Sequence, residues 1–145
     1  MIACDTKLLV CSSRGDSPWH AGALAALTAL AEGAEDWGVP WPCVHEFLAV
    51  VTSPRIFQRP TPMSQALAAF AAWRRSPVLR LLAEAPGYDA ALERTLAESR
   101  AAGPLVHDAH IAALCHLHGV RELWTADRDF SRFESLATRN PLVQT

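Results

Sequence analysis

Short apolar segments alternate with longer segments of helical spacing along this chain, and this alternation constrains the fold more than any other feature. The predicted strands are residues 2–5, 37–40, 78–82 and 122–125, with 136–138 as a candidate last edge strand. After a helical turn at 8–11, the predicted helices cover residues 19–31, 43–51, 61–75, 90–101 and 108–118. Strands that alternate with helices predict an α/β fold, here a three-layer α/β/α sandwich with a short-stranded parallel sheet.

Length and composition set the class of protein. A chain of 145 residues, half of them hydrophobic, is long enough for a core without disulfides, and we expect one domain over residues 1–145. The four cysteines, at 4, 11, 43 and 115, form no Cys-x-x-Cys pair, so we expect buried reduced thiols. The sequence has no apolar run of membrane-spanning length and no signal peptide at its start, so a soluble, cytoplasmic protein is expected.

The charge of the chain limits how it could bind nucleic acid. Its formal net charge of −2 excludes a broadly basic surface. It leaves open a nucleic-acid enzyme that combines an acidic metal site with a local basic rim. Lys7 is the only lysine among 13 basic residues, and the arginines suit phosphate contacts.

Carboxylates occur at strand ends or in the first turns of helices at four places in the sequence. Asp5 ends the first strand, Glu46 lies in the second turn of an apolar helix, and Asp108 opens a helix. Asp127 and Asp129 directly follow a strand. Each acid also has an ordinary structural explanation. Asp5 and Asp108 could be helix N-caps, Glu46 could lie on a solvated helix face, and Asp127 and Asp129 could form an Asx turn.

Taken together, these acids predict a metal centre. They fall at strand ends or in the first turns of the following helices, which a parallel sheet gathers at one edge. Several ionised carboxylates crowd there only when a cation neutralises them, and oxygen ligands of this kind select Mg²⁺ or Mn²⁺. Such a centre activates a bound water and stabilises charge on phosphate oxygens, so the predicted reaction is phosphodiester hydrolysis.

Competing phosphate and metal chemistries lack their sequence motifs. The chain contains no Gly-x-Gly-x-x-Gly, no Gly-x-x-x-x-Gly-Lys-Ser/Thr and no Gly-x-Ser-x-Gly. A phosphoryl-aspartate enzyme needs a second acid two residues after the first, where this chain has Lys7. The histidines at 107, 110, 116 and 118 lack the spacing and partners of a zinc site, so we interpret them as ordinary surface or capping residues.

Four segments around the acids resemble, in order and spacing, the acidic motifs of the PIN-domain family. They are Ile-Ala-Cys-Asp-Thr at 2–6, Pro-Cys-Val-His-Glu-Phe-Leu at 42–48, His-Asp-Ala-His-Ile-Ala-Ala at 107–113 and Trp-Thr-Ala-Asp-Arg-Asp-Phe at 124–130. Nearly the whole chain resembles VapC-type toxins of bacterial type II toxin–antitoxin systems, and the segments 17–20, 52–57 and 139–142 support this. The resemblance implies a Mg²⁺- or Mn²⁺-dependent endoribonuclease toxin that cleaves RNA, forms a homodimer and is inhibited by a cognate antitoxin.

The resemblance also assigns roles to individual residues. The implied catalytic acids are Asp5, Glu46, Asp108 and Asp127, and the implied metal ligands are Asp5, Asp108, Asp127 and Asp129. Thr6 and Thr125 match hydroxyl positions that bind a metal water or orient a carboxylate. From the partner, we expect an Arg or Lys side chain that points into this cluster, with its groove among the Trp and Phe residues between 37 and 73.

Lys7 departs from the family pattern, which usually has asparagine at this position. Its ammonium group could pair with Asp5 and compete with the metal, or turn outward and contact a substrate phosphate. We predict that Lys7 retunes metal binding without abolishing cleavage. Lys7 is also the one sequence feature that supports an alternative function, a degenerate PIN module that binds a protein or RNA without cutting.

A nuclease that acts on DNA is a third possibility, because nothing in the sequence reads a 2′-hydroxyl.

Overall fold

The computed structural model describes residues 1–143; residues 144 and 145, the end of the predicted domain, lie outside the described residues. Within that range the strands are β1 Ile2–Cys4, β2 Trp37–Pro40, β3 Leu79–Leu82, β4 Glu122–Trp124 and β5 Thr138–Arg139. They form one parallel sheet in the order β3-β2-β1-β4-β5. The first strand is central because β2 and β4 pair on either side of it, with Ile2 opposite both Trp37 and Glu122.

Helices connect the strands, as parallel neighbours require. They are α1 Thr6–Ser13, α2 His20–Glu32, α3 Trp41–Val51, α4 Met63–Arg74, α5 Tyr88–Ser99 and α6 Leu105–Leu117, followed by a short 3₁₀-helix at Arg128–Arg132. The predicted α/β fold, with a short-stranded parallel sheet and packed helices, is confirmed. None of the helices in the described range is long and apolar enough to cross a membrane.

The start of α6 differs from the prediction. The helix begins at Leu105 with Pro104 in the cap position, so Asp108 lies inside the first turn and does not open the helix. Proline suits a helix start because its φ is already fixed and the first N–H groups have no helical partner. The preceding Gly103 turns the chain with φ +60°. The explanation of Asp108 as an N-cap is therefore wrong.

The last strand also lies later than predicted. It covers Thr138–Arg139 and not 136–138, because Leu136 is 5% exposed and packs in the core. The backbone N–H of Thr125 donates to the carbonyl of Arg139 at 2.8 Å, which sets the register of this edge strand. Arg139 therefore lies at the carboxyl edge of the sheet, close to the loop that follows β4.

The core lies around the central strand and α6. Ala3 and Cys4 of β1 are fully buried, and so is Phe47, which lies on the apolar face of α3. The buried side of α6 comprises Ala109, Ile111, Ala112, Ala113, Leu114 and Cys115. All four cysteines are buried and free, as predicted.

Candidate active site

Asp5 occupies the junction between β1 and α1. Its backbone N–H donates to the carbonyl of Trp124 at 3.2 Å, so it stands beside the end of β4. Its extended backbone makes it the N-cap of α1, and its side chain accepts the N–H of Lys7 at 3.2 Å. The hydroxyl of Thr125 donates to the second carboxylate oxygen. Asp5 is only 4% exposed, so its orientation is fixed by these bonds.

Thr125 and the two following acids form a connected turn. The hydroxyl of Thr125 accepts the N–H of Asp127 at 2.9 Å, and Oδ1 of Asp127 accepts the N–H of Asp129 at 2.9 Å. Asp127 thus caps the 3₁₀-helix with one oxygen, which is the Asx-turn role considered from the sequence. That bond uses a single lone pair of the carboxylate, so turn formation and metal binding are compatible in one residue.

Three aspartates converge on a position that suits a cation. Asp108, Asp127 and Asp129 each offer a carboxylate oxygen, and these atoms lie within 4.8 Å of one another. Asp5 is not part of this close group, but it lines the same cavity as Asp108 and Asp127. This acid cavity has a volume of about 390 Å³ and is lined by Asp5, Thr6, Lys7, Val10, Glu46, Val50, Asp108, Ile111, Ala126, Asp127, Arg128 and Phe130.

Glu46 reaches the acid cavity from α3. The neighbouring residues Val44 and Phe47 face the core, which leaves Glu46 on the exposed side of the helix. The hydroxyl of Thr6 donates to Oε2 of Glu46 at 3.2 Å and so ties α3 to the first turn of α1. Each hydroxyl that the sequence singled out therefore orients one acid: Thr6 orients Glu46, and Thr125 orients Asp5.

The electrostatics of the acid cavity favour a bound cation. Burial raises the pKa of Asp5 to about 6, although the hydrogen bond from Thr125 opposes this shift. Burial, and to a smaller extent the carboxylates of Asp127, Asp129 and Glu46, together raise the pKa of Asp108 to about 6. A divalent cation would relieve this repulsion, and carboxylate oxygens are the ligands that Mg²⁺ and Mn²⁺ prefer. The donor set therefore fits the predicted metal.

Comparison with known proteins decides the family. The PIN domain family model matches residues 2–136 of the chain. The chain belongs to the PIN-domain family. It is 31% identical over 137 residues to Ribonuclease VapC48 of Mycobacterium tuberculosis, which covers 94% of each chain.

Solved structures support the fold of this PIN domain. VapBC2 from Rickettsia felis, crystallised with a DNA fragment from its promoter, superposes with a TM-score of 0.70 at 15% identity, over 97% of this chain and 98% of the other. VapC20 of Mycobacterium tuberculosis, described as a Sarcin-Ricin loop cleaving toxin, gives a TM-score of 0.63 at 21% identity, over 90% and 93% of the two chains. At these identities the likeness concerns the fold alone.

Lys7 takes an outward position at the mouth of the acid cavity of this PIN domain. Its Nζ lies 5.5 Å from the ring centroid of Trp19. No carboxylate of residues 1–143 lies within 4.0 Å of this ammonium group, so the ion pair with Asp5 is not formed. Of the two arrangements considered from the sequence, the structure has the outward one.

The structure also gathers residues that the sequence did not assign to the site. A cavity of about 760 Å³ adjoins the acid cavity and shares Glu46 and Ile111 with it. We call it the histidine groove, because its lining includes Trp41, His45, His107 and His110. His107 and His110 lie three residues apart on one face of α6, and this spacing could have indicated the groove. His45 comes from α3, so the spacing on α6 could not have placed it there. The PIN domain also places Arg128 in the acid cavity itself.

Proposed function

We propose that this PIN-domain protein is a Mg²⁺- or Mn²⁺-dependent endoribonuclease toxin that hydrolyses RNA phosphodiester bonds and is neutralised by a cognate antitoxin. The observation that carries the proposal is the acid cavity, where Asp5, Glu46, Asp108 and Asp127 face one space. The similarity to VapC48, named as a ribonuclease, supports the same reaction.

The residues of the acid cavity have different roles in the proposed reaction. Asp5, Asp108, Asp127 and Asp129 would hold the cation, which supplies Lewis-acid stabilisation of charge on the phosphate oxygens. Thr125 keeps a carboxylate oxygen of Asp5 in place.

Glu46 is the proposed general base. It is the acid of the cavity that lies on the exposed face of a helix, and its Oε2 is held by Thr6. In this scheme a carboxylate oxygen of Glu46 takes the proton from the attacking water as the new P–O bond forms. The P–O bond to the leaving nucleotide then breaks, and the leaving oxygen takes a proton from solvent, which completes the hydrolysis.

The experiment that tests the proposal is an RNA cleavage assay with purified protein. Cleavage should require added Mg²⁺ or Mn²⁺, stop with EDTA and be lost in Asp5→Asn and Asp108→Asn. The matched control is Asp89→Asn, an exposed aspartate in the first turn of α5 that does not line the acid cavity. Cleavage that survives both site substitutions would contradict the assignment. A DNA strand of the same sequence shows whether the substrate is RNA alone.

The antitoxin part of the proposal rests on the resemblance to VapC toxins and on the shape of this site. We propose that an Arg or Lys of the partner enters the acid cavity, where a cation can replace the charge of the metal. The histidine groove, with Trp41 in its lining, is the candidate surface for the adjoining partner segment. Titration of the partner into the cleavage assay should give inhibition that weakens when its basic tail residues are neutralised.

The homodimer is also a proposal, drawn from the same resemblance. Sedimentation equilibrium of the purified chain should give twice the monomer mass of 15.8 kDa. The alternative of a non-cleaving module rested on Lys7, and within residues 1–143 the ammonium of Lys7 lies 5.5 Å from the ring centroid of Trp19 and forms no ion pair with the acids.

A further inference from the structure

A cavity rich in hydrogen-bond donors adjoins the acid cavity on the side away from the histidine groove. It has a volume of about 460 Å³, and its polar lining includes Arg128, Ser131, Thr138, Arg139 and Asn140. We call it the arginine cavity. It adjoins the acid cavity, because Ala126, Asp127 and Arg128 line both. Asp127 is the single carboxylate among its described lining residues, and that carboxylate belongs to the metal site.

Arg139 is held in position before any ligand arrives. Its guanidinium carbon lies 5.6 Å from the ring centroid of Trp124. The indole of Trp124 is itself fixed, because its Nε1 donates to the carboxylate of Glu122 at 2.7 Å. The backbone carbonyl of Arg139 accepts from Thr125, which stands directly before the turn with the acids. A cation fixed in this way loses less freedom when it binds an anion.

The donors of the arginine cavity are free of competing acids. Within residues 1–143, no carboxylate lies within 4.0 Å of the guanidinium of Arg128 or Arg139. The side-chain oxygen of Asn140 accepts the N–H of Leu142 at 3.0 Å, so its amide group presents N–H donors to other partners. Arg128, Arg139 and Asn140 therefore line a cavity that suits an anionic ligand.

Resting on the proposed ribonuclease function, we infer that Arg128, Arg139 and Asn140 form a subsite for an RNA phosphate that flanks the scissile linkage. Guanidinium groups bind phosphate through paired N–H donors, and such contacts supply much of the affinity for nucleic acid. A chain with a net charge of −2 and a cavity lined by acids repels RNA unless a local cation offsets it. The arginine cavity supplies that charge beside the reaction centre.

RNA fits this subsite better than an acidic peptide does. A ligand in the arginine cavity continues past Arg128 into the acid cavity, since the two share their lining. An RNA strand with one phosphate among the acids can place a neighbouring phosphate in the arginine cavity, because the two cavities share lining residues. An acidic peptide that continued in the same direction would meet Asp108 and Asp127, which repel it.

The test uses Arg139→Gln in the full chain, with Arg94→Gln as the matched control. Arg94 lies on α5 and lines a separate cavity. Binding of a short fluorescein-labelled single-stranded RNA of mixed sequence is measured by anisotropy in EDTA, and cleavage of the same RNA is measured with Mg²⁺. We expect Arg139→Gln to weaken binding about fivefold to tenfold and to lower the slope of log affinity against log salt by about 0.7. It should raise KM while kcat stays within about twofold of wild type.

Four results distinguish this inference from the alternatives and from a failure of the proposed function. Arg139→Lys should recover the salt slope but only part of the affinity, because it keeps the charge and loses the paired donors. RNA binding by Arg139→Gln equal to that of Arg94→Gln, from a wild type that cleaves RNA, would overturn the subsite and leave the proposed function standing. Weakened inhibition by the antitoxin with unchanged RNA binding would assign the cavity to the protein partner and also overturn it. A wild type that binds RNA but never cleaves it would instead overturn the proposed function.

Discussion

Burial is the largest cause that raises the pKa of two aspartates of the acid cavity to about 6, but the smaller causes differ between them. Asp5 is enclosed by the fold: it ends the central strand, is 4% exposed and is held by the hydroxyl of Thr125. Asp108 is only partly buried, and three neighbouring carboxylates add to its shift. Beyond burial, hydrogen bonds therefore lower the pKa of Asp5, whereas neighbouring carboxylates raise the pKa of Asp108.

Asp5 and Asp108 should respond differently to a bound cation. A cation near Asp108 removes the repulsion that its neighbours create, so its charged form becomes favourable. Asp5 keeps its burial whether or not a cation is present, and it depends on Thr125 for its alignment. Substitutions at Asp108 and Thr125 should thus separate metal affinity from alignment.

The largest effect should follow from Asp108→Asn. The substitution removes a charged oxygen from the close group with Asp127 and Asp129, so metal-dependent RNA cleavage should fall about 100-fold or more. Calorimetry should show that Mg²⁺ raises the Tm of the wild type and of Asp89→Asn but not of Asp108→Asn. An unchanged Mg²⁺ response in Asp108→Asn would place the cation elsewhere.

The next effect concerns stability in EDTA. Because the pKa of Asp5 in the folded chain is about 6, above its ordinary 3.8, the folded state binds more protons than the unfolded state between these values. Its contribution to stability is fully present below about pH 4 and is lost as the pH rises through 6. The free energy of unfolding of the wild type, relative to Asp5→Asn, should fall by about 3 kcal/mol over this window.

Denaturant titrations at pH 4 and pH 7 measure this difference. The comparison with Asp5→Asn cancels the titration of other groups, such as Asp16 and Glu35, whose lowered pKa values act in the opposite direction. Asp108→Asn should change stability in the same direction but less, because solvent screens a partly exposed group. A constant difference between wild type and Asp5→Asn would contradict the raised pKa.

Thr125→Val should shift the pH dependence of cleavage. The hydroxyl lowers the pKa of Asp5, so its loss should raise that pKa further and move the acid limb of the activity profile to higher pH. We expect a loss of about tenfold at pH 6 and a smaller loss at pH 8. Thr125→Ser keeps the donor and should restore the profile. An equal loss at every pH would mean that Thr125 acts only through packing.

Thr6→Val should have a weaker effect, without a pH shift of this kind. It removes the 3.2 Å hydrogen bond to Glu46, an exposed acid that solvent also hydrates. We expect kcat to fall about threefold to fivefold, with metal affinity unchanged, because this bond aligns the proposed base and touches none of the metal ligands. A change in metal affinity would move Glu46 into the ligand set.

Lys7→Asn should give the smallest change. The ammonium lies over Trp19 and forms no ion pair with Asp5, so the Mg²⁺ concentration at half-maximal cleavage should change less than about threefold. A Mg²⁺ and Mn²⁺ titration of the cleavage rate measures this. A large drop in the metal requirement would show that Lys7 competes with the cation in solution, and lost cleavage would assign Lys7 to the substrate.

The sequence predicted the parts of the site that depend on strand ends. Asp5, Asp127 and Asp129 follow short apolar strands, and parallel pairing of β1 with β4 brings those ends together. The position of Asp108 in its helix was wrong, because aspartate is a good N-cap residue and Pro104 took that role in the fold.

Surfaces built from distant elements could not be predicted in this way. Arg128 and Arg139 meet only because β5 pairs with β4, and a two-residue strand of exposed residues leaves no periodic signal. The histidine groove combines α3 with α6, whose packing depends on the whole core. Lys7 turned toward Trp19, a residue of the loop before α2 that no local rule links to it.

The four cysteine thiols are buried and therefore protected from reagents in the folded chain. Burial raises the pKa of Cys4 and Cys115 far above their ordinary range, and the charge of Asp5 adds to both shifts. A thiol without a thiolate form does not react with oxidants or alkylating reagents until the structure opens. The rate of cysteine modification by such a reagent therefore measures how often the folded chain opens. Any ligand that covers Asp5 should lower that rate.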